Sequence, residues 1–599
     1  MNKANIAPES AFQNWVETFA AAIEKKDGKQ LAQFFAEESY WKDFLSLTWE
    51  MKTLAGPGEI SSALETTIGP MGIKNFRAAP NRTAARFARR SGRNLLEGYF
   101  EFDTAIGVGV GFARLSYDEG DPSSVNIWQL LTTLDHIHGL EEHLDDNRPT
   151  GENYSKIISP YNWQQDREGE RSYADRDPEV VIIGAGQSGL MLAARLRQMN
   201  VDALVIEKTK EIGDVWRDRY NNLTLHNELM ANHFPYMPYP TNWPLWLPKD
   251  RLAGWLEAYA DFQDLNVWTA TELVASSYDE EAKEWQIKLR LADGRERAMK
   301  TKHVVAAVGI SGGAAKRPKL PGLDSFAGSV IHSGEFKSGL AWKDKRAIVI
   351  GTGNSGHDIA QDLFVSGAKN VSLMQRGPTC VVSLEPSAAI SYSVYGQGHP
   401  IEDVDLMVAT MPYPVLIDTY KEITRKTNEL DKDLLEGLEA AGFKTHSGED
   451  ETGFQLLYLR GGGGYYVDVG CSELIINGDI PVLHAEEMDT FQADGLRMKD
   501  GTLEPCDLIV LATGFEGMQS IIRKVMGDEV ADRVGPVWGF DEDNNLRNMW
   551  KKTAQDGFWI MGGALVEARL FSKYLALQIK SSLDGLMPED DALPLKKAS

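Results

Sequence analysis

Apolar and polar positions follow two different periods along this chain, and the change of period marks its parts. In residues 12–23, Phe12, Trp15, Val16, Phe19 and Ile23 fall on one face of a helix. A second short helix is expected over residues 29–35. Residues 82–89, 94–103, 107–117 and 125–134 then read as strands. Helices followed by a run of strands predict an α+β domain over residues 1–145. Residues 146–177 are polar and aperiodic, which predicts a linker. From Val180 onward the apolar runs become short and continuous, the mark of buried parallel strands. Such runs lie at 180–183, 201–206, 304–308, 347–350, 370–374 and 508–511, and again at 558–563, where a glycine turn follows. Helical stretches lie at 190–199, 251–261, 357–364 and 567–583, and paired strands with turns near Asp279 and Asp293 lie within 268–291.

The fold class this pattern predicts is α/β, with two Rossmann-like dinucleotide-binding domains behind the N-terminal α+β domain. The first dinucleotide domain is expected over 178–325 and 485–599, with 508–511 returning the chain to the first sheet. The second is expected over 326–484, with a helical insertion at 390–450 and the Gly461–Gly464 run near the return. Residues 234–248, rich in proline and aromatic rings, can be neither helix nor central strand. They are expected to form an ordered loop beside a flat ligand.

Two glycine turns carry the chemistry. Gly184, Gly186 and Gly189 follow the strand at 180–183 as GxGxxG, and Glu207 closes the next strand eighteen residues past Gly189. Gly184 makes the turn, Gly186 lets backbone approach a pyrophosphate, and Gly189 lets the helix pack on the strand. Gln187 and Ser188 open that helix, whose free N–H groups favour phosphate. Glu207 is placed to accept hydrogen bonds from a ribose. Gly213 and Trp216 follow where they can cover the diphosphate. The second turn is Gly351, Gly353 and Gly356, with Asn354 and Ser355 inside it. Its next strand ends at Arg376 instead of an acid. A guanidinium there pairs with a ribose 2′-phosphate that a carboxylate would repel. NADPH is therefore favoured, with NADH open. Two such sites in one chain point to FAD reduced by a nicotinamide.

Composition narrows the picture. At 599 residues the chain is too long for one core. A net charge of −25 argues against a nucleic-acid partner, because phosphate binding needs a basic face. The three cysteines, Cys380, Cys471 and Cys506, are sparse and isolated, which points to a reducing compartment without a disulfide framework. The first residues lack the apolar core of a signal peptide, and no uninterrupted run of about 20 apolar residues exists. A cytoplasmic protein is expected, without a membrane span or metal, and with a homodimer as one option.

Between the two turns lie Phe326, Gly328, His332 and Phe336, in the pattern FxGxxxHxxx followed by an aromatic. Together with GAGQSG, GTGNSG, QRGPT and the ATGF that contains Thr513 and Gly514, this set resembles the fingerprint of class B flavin-dependent monooxygenases over residues 178 to about 585. The resemblance implies FAD and NADPH domains in one chain and a C4a-(hydro)peroxyflavin formed with O₂. It implies transfer of one oxygen atom to a small organic substrate, by Baeyer–Villiger oxidation of a ketone or by S- or N-oxygenation. Phe336-Lys337 replaces the Trp of typical Baeyer–Villiger members and is closer to flavin-containing monooxygenases with an extended N-terminus. The stretch YNNLTLHNE resembles plant auxin-forming members.

The N-terminal pattern resembles the cone-shaped SnoaL-like fold. There Trp41, Asp43, Trp49, Asp135 and His136 would line a pocket or serve as packing and surface residues. Four residues are carried over as candidates for catalysis. Asn227 or Asn232 would hydrogen-bond the distal peroxide oxygen, though either can cap the loop. Arg346 matches a peroxyflavin-stabilising arginine, though basic residues are common before that strand. His332 fits an inter-domain role better than acid–base work. The competing class is an NAD(P)H-dependent flavin reductase or oxidase of the same architecture, against which the isolated cysteines weigh. A non-catalytic flavoprotein is a weaker reading, and no spacing specifies the substrate.

Overall fold

The computed structural model describes residues 6–118, 124–149, 160–309 and 314–588. Its first sheet holds Asn266–Trp268, Ala203–Ile206, Val180–Ile183, His303–Ala306 and Phe558–Ile560 in that order, all parallel. The second holds Ser329–His332, Leu508–Leu511, Arg346–Ile350, Asn370–Gln375 and Val482–His484, again all parallel. Strands covered on both faces need no polar alternation, which is why each reads as an apolar run.

The return strand is corrected. Leu508–Leu511 lies in the second sheet between Ser329–His332 and Arg346–Ile350, not in the first. The chain regains the first sheet only with Phe558–Ile560, so the expected boundary at 485 falls too early. Tyr465–Asp468 belongs to the second unit, paired with Cys380–Ser383. The linker is also corrected. Trp163–Ser172 is a helix with an Asn162/Gln165 capping box, and Arg167 donates to Asn266 at 3.1 Å on the edge strand of the first sheet. Its polar face reads as aperiodic because little of it is apolar. The rings of 234–248 pack on one another and on helix Lys249–Phe262, with Tyr239 against Trp243 and Trp255 and Phe234 against Tyr259. They form the expected ordered loop, as a packed corner.

The N-terminal part is an α+β body. Its sheet runs Met51–Ala55, Phe35–Phe44, Val125–Ile137, Gly107–Tyr117, Arg93–Asp103 and Lys74–Ala78, with Arg86–Arg90 also on Arg93–Asp103. Helix Pro8–Glu24 sets Trp15 and Phe19 against Phe76, and Trp15 against Phe100. A cavity between Phe19, Ile23, Trp41, Leu64 and Phe102 measures about 20 Å³, room for about one water. That cavity is apolar and is lined by Trp41 and Thr132 but not by Asp43, Trp49, Asp135 or His136. Trp41 is buried and donates to Thr132 at 2.9 Å. Asp43 is buried and accepts from Leu47 and Thr48 backbone N–H groups at 3.0 and 2.7 Å and from Thr132 at 2.6 Å. Trp49 is core, while Asp135 pairs with Lys573 at 2.6 Å and His136 lies beside it.

This body buttresses two other elements. Helix Ile401–Ala409 carries Asp403, which accepts from Arg82 at 2.8 Å and from Thr83 at 2.7 Å. Arg114 donates to the Met407 carbonyl at 2.9 Å, and Phe44 meets Tyr574 on helix Leu565–Leu583 at 5.1 Å. The insertion after residue 388 is helical as expected, through Ile401–Ala409, Tyr413–Leu430 and Lys432–Ala440. Among the described residues, no helix is long and apolar enough to cross a membrane.

Candidate active site between two glycine turns

Both glycine turns sit at the carboxyl ends of their strands, where parallel sheets bind ligands. The three glycines of the first turn have three distinct reasons. Gly184 has φ +110°, and a Cβ there would lie 2.6 Å from the Ala307 carbonyl oxygen. A Cβ on Gly189 would lie 2.0 Å from the Gly184 oxygen. A Cβ on Gly186 would meet nothing within 4 Å. Packing explains the outer two and leaves the middle one unexplained by the protein. Helix Gln187–Gln198 starts there without a side-chain cap, so its first N–H groups point into that open space. The residues therefore fit a dinucleotide diphosphate.

Neighbouring side chains agree with that reading. The Glu207 carboxylate accepts from Ala185 N–H at 2.8 Å and from Thr209 N–H at 2.9 Å, which fixes it over the turn with acceptor capacity left for a ribose. Trp216 donates to Gln187 at 3.3 Å, and Ser188 is buried in the first helical turn. Gly213 has φ +91° and a Cβ there would lie 2.5 Å from the Ala253 oxygen, so it serves helix packing.

The second turn repeats the geometry. Gly351 has φ +116°, and a Cβ on Gly356 would lie 2.0 Å from the Gly351 oxygen. Gly353 faces space bounded only by the Tyr465 carbonyl oxygen, 3.6 Å from its ideal Cβ. Helix Asn354–Val365 also lacks a side-chain cap. Asn354 accepts from Val467 N–H at 2.8 Å, so its side chain organises the turn from behind, and Tyr220 donates to Asp358 on the same helix at 2.6 Å. Arg376 is exposed at the end of Asn370–Gln375, without a side-chain partner among the described residues.

His332 joins the fingerprint to the ATGF turn. Its Nδ1 accepts from Gly334 N–H at 3.1 Å, so Nε2 carries the hydrogen and donates to the Gly514 carbonyl at 3.0 Å. Burial lowers its pKa, and both ring nitrogens are engaged. The ring thereby ties the fingerprint to the turn that carries Gly514. Gly514 needs its left-handed φ of +80°, and Thr513 donates to the Lys316 carbonyl where the two inter-domain segments cross. Arg346 is corrected. It forms a bidentate pair with Asp507, 2.7 and 3.0 Å, at the amino end of its strand. The glycine turn lies at the other end, about 16 Å away at the rise of a strand.

The two asparagines separate. Asn227 lies on Thr224–Glu228, near the Tyr392 hydroxyl. Asn232 is buried one turn behind and donates to the Asn227 carbonyl at 3.1 Å. Beyond Asn227 lies a group that no local pattern signals. Burial, and then the nearby charge of Glu567 in the first turn of helix Leu565–Leu583, raises the hydroxyl pKa values of Tyr392, Tyr420, Tyr458 and Tyr465. Glu567 Oε2 is buried without a hydrogen-bond partner, and burial raises the carboxyl pKa. Tyr458 accepts from Ala564 N–H at 3.0 Å, Gln187 donates to the Gly563 carbonyl at 3.5 Å, and Tyr465 borders Gly353. The group thus lies between the two turns.

Other features stand apart. An open cleft of about 420 Å³, lined by Glu170, Arg176, Arg197 and Asp202, lies at the amino ends of the first sheet's strands, the wrong end for a cofactor. His136, His138 and Glu141 bring ligand atoms within 4.8 Å of one another on the N-terminal body, although no metal is expected from the sequence. All three cysteines are free and buried, and burial pushes the Cys380 and Cys506 thiols up to about 12.

Comparison with known proteins places this geometry. A sequence model of the flavin-binding monooxygenase-like family matches residues 177–396. Indole-3-pyruvate monooxygenase YUCCA1 of Oryza sativa subsp. japonica is 29% identical over 360 residues, 59% of this chain and 80% of that protein. Probable indole-3-pyruvate monooxygenase YUCCA9 of Arabidopsis thaliana is 30% identical over 339 residues, 56% of this chain and 74% of its own. An oxidised steroid monooxygenase bound to NADP superposes with a TM-score of 0.50 at 19% identity, covering 68% of this chain and 85% of that one. A cyclohexanone monooxygenase variant from Rhodococcus sp. Phi1 bound to NADP⁺ gives a TM-score of 0.50 at 18% identity, with 68% and 86% covered. The structural likenesses speak for the fold alone.

Proposed function

Since this chain belongs to the flavin-binding monooxygenase-like family and is a flavin-dependent monooxygenase, we propose that FAD occupies the turn at 184–189, that NADPH occupies the turn at 351–356, and that oxygen passes to a ketone held between them. The observation that carries this reading is the pair of uncapped helix N-termini whose middle glycines face open space, with one group of polar side chains bordering both. FAD, when bound, supplies hydride acceptance and O₂ activation. The chain's own residues do the rest. Free N–H groups at Gln187 and Asn354 hold the two diphosphates. Glu207 accepts from a ribose, and His332 holds the 513–515 turn in place. The tyrosines around Glu567 close the space between the turns and exclude water.

Relatives named for indole-3-pyruvate act on an aromatic carbonyl compound, which supports a carbonyl substrate here. The flavin reductase alternative of the dithiol kind lacks a redox partner, because the three cysteines are buried singly. We read the N-terminal body as a SnoaL-like cone used as a buttress, since it holds two other elements in place.

Arg376 gives the test of nicotinamide choice. Arg376→Ala is expected to raise KM for NADPH by about tenfold or more, because a charge-assisted contact is worth roughly 1.5–3 kcal/mol. KM for NADH should stay near its original value. Steady-state kinetics with both cofactors decide the point, and equal changes would remove Arg376 from the 2′-phosphate.

A further inference from the structure

We propose that His136, His138 and Glu141 form a binding site for a zinc-class divalent cation, on the N-terminal body where it meets helix Leu565–Leu583. One ligand atom from each of the three side chains lies within 4.8 Å of those of the other two. His136 and His138 stand two residues apart at the end of strand Val125–Ile137, so both rings project from one side of the extended chain, with centroids 6.4 Å apart. The turn that follows brings Glu141 back to them. Gly139 supplies a left-handed φ of +77°, Leu140 N–H donates to the Ile137 carbonyl at 3.0 Å, and Gly139 N–H donates to Glu141 Oε1 at 3.1 Å. A carboxylate with that one bond keeps acceptor capacity for a cation. Tetrahedral zinc, with bonds of about 2.1 Å, sets its donors about 3.4 Å apart. His138 is exposed and His136 and Glu141 are partly so, which lets an ion reach them and lets small rotations close the set.

A second observation points the same way. His136 Nδ1 lies 3.1 Å from Asp135 Oδ2, and Lys573 holds the other oxygen, Oδ1, at 2.6 Å. A carboxylate on one ring nitrogen orients a histidine and leaves the other nitrogen, Nε2, for a metal. The donor set selects the ion. Two imidazoles and one carboxylate suit zinc and its first-row neighbours, whereas magnesium and calcium take oxygen ligands. Three protein donors leave a fourth position for water. The location says what the ion does. The same short segment ties the N-terminal body to the unit that holds the first sheet. Asp135 reaches Lys573 on helix Leu565–Leu583, Glu142 pairs with Arg195 at 3.1 Å, and His143 N–H donates to the Gln198 carbonyl at 3.0 Å on helix Gln187–Gln198. A cation held by 136–141 clasps this turn and stiffens the joint.

The experiment is equilibrium dialysis of the FAD-loaded enzyme, first stripped with a chelator, against zinc chloride in excess magnesium chloride, with bound zinc read by atomic absorption. Magnesium occupies surface carboxylates of a chain with net charge −25 but does not compete for imidazole. One zinc ion per chain is expected. His138→Ala and Glu141→Ala each remove a donor and should weaken binding by about a hundredfold or more. Asp135→Asn removes no donor and should weaken it by about tenfold through the orientation of His136. The exposed position of His138 lets His138→Ala fold as the wild type does, which circular dichroism checks. As a second readout, zinc should slow amide exchange across residues 136–143 in the wild type and not in His138→Ala. Zinc that magnesium displaces, the absence of bound zinc, or equal binding by the wild type, His138→Ala and Glu141→Ala overturns the proposal. Neither readout involves turnover, so the outcome is separate from whether oxygen is transferred.

Discussion

Replacing Gly186 with leucine is expected to give a folded protein that holds no FAD. The reasoning rests on what surrounds each glycine of the turn. A side chain at Gly189 collides with the Gly184 oxygen at 2.0 Å, so that change damages the fold itself. A Cβ at Gly186 meets no protein atom within 4 Å, and the residue has φ −75°, open to any side chain. The protein alone tolerates the change. Only a ligand seated on the uncapped helix N-terminus forbids it. Purified Gly186→Leu should therefore be colourless, with near-native circular dichroism and thermal unfolding close to the flavin-free wild type. A yellow Gly186→Leu protein with stoichiometric FAD would remove the diphosphate from this turn.

Arg569→Leu is expected to destabilise the fold strongly. Arg569 and Asp405 are 3% and 5% exposed at the side chain. The guanidinium also ties down the Ala231 and His233 carbonyls, so one side chain joins the C-terminal helix, the insertion helix and the loop beside Asn232. Removing it leaves the Asp405 carboxylate buried and uncompensated, which costs about 3–5 kcal/mol. The double variant Asp405→Leu/Arg569→Leu should recover much of that loss, because it removes both charges. Denaturant unfolding measures both. A single variant within about 1 kcal/mol of wild type would show that the pair does not organise the pocket wall.

Local chemistry was legible in the sequence, and non-local assembly was not. Gly184, Gly186, Gly189 and their counterparts at 351–356 were readable because a turn, an approach and a helix contact are settled within six residues. Leu508–Leu511 was readable as a buried strand but not as a member of the second sheet, since an apolar run carries no mark of its neighbours. Helix Gly56–Met71 was missed because its Gly-Pro-Gly start reads as a turn, although proline suits a first helical turn. Asp43 read as a pocket acid, yet its own loop through Leu47 and Thr48 satisfies it. Arg346 looked poised for chemistry, but the position before a strand is the end farthest from the turn that follows it. Glu567 and its tyrosines had no signature at all. They come from five separate stretches and acquire meaning only when the two units face each other.

Incorporation of oxygen from ¹⁸O₂ tests the central claim most directly. The FAD-loaded enzyme would be given NADPH, ¹⁸O₂ and a panel of uncharged aryl ketones and aryl sulfides, with products read by mass spectrometry and NADPH and H₂O₂ counted in parallel. The monooxygenase account predicts one ¹⁸O atom in an organic product for each NADPH consumed, with ketones as the productive class. His332→Ala should keep flavin reduction but divert NADPH consumption toward H₂O₂, because the 513–515 turn loses its anchor. Oxidation of NADPH with all of the label in H₂O₂ or water, and no labelled product from any compound, would contradict the account and assign the chain to the reductase or oxidase class.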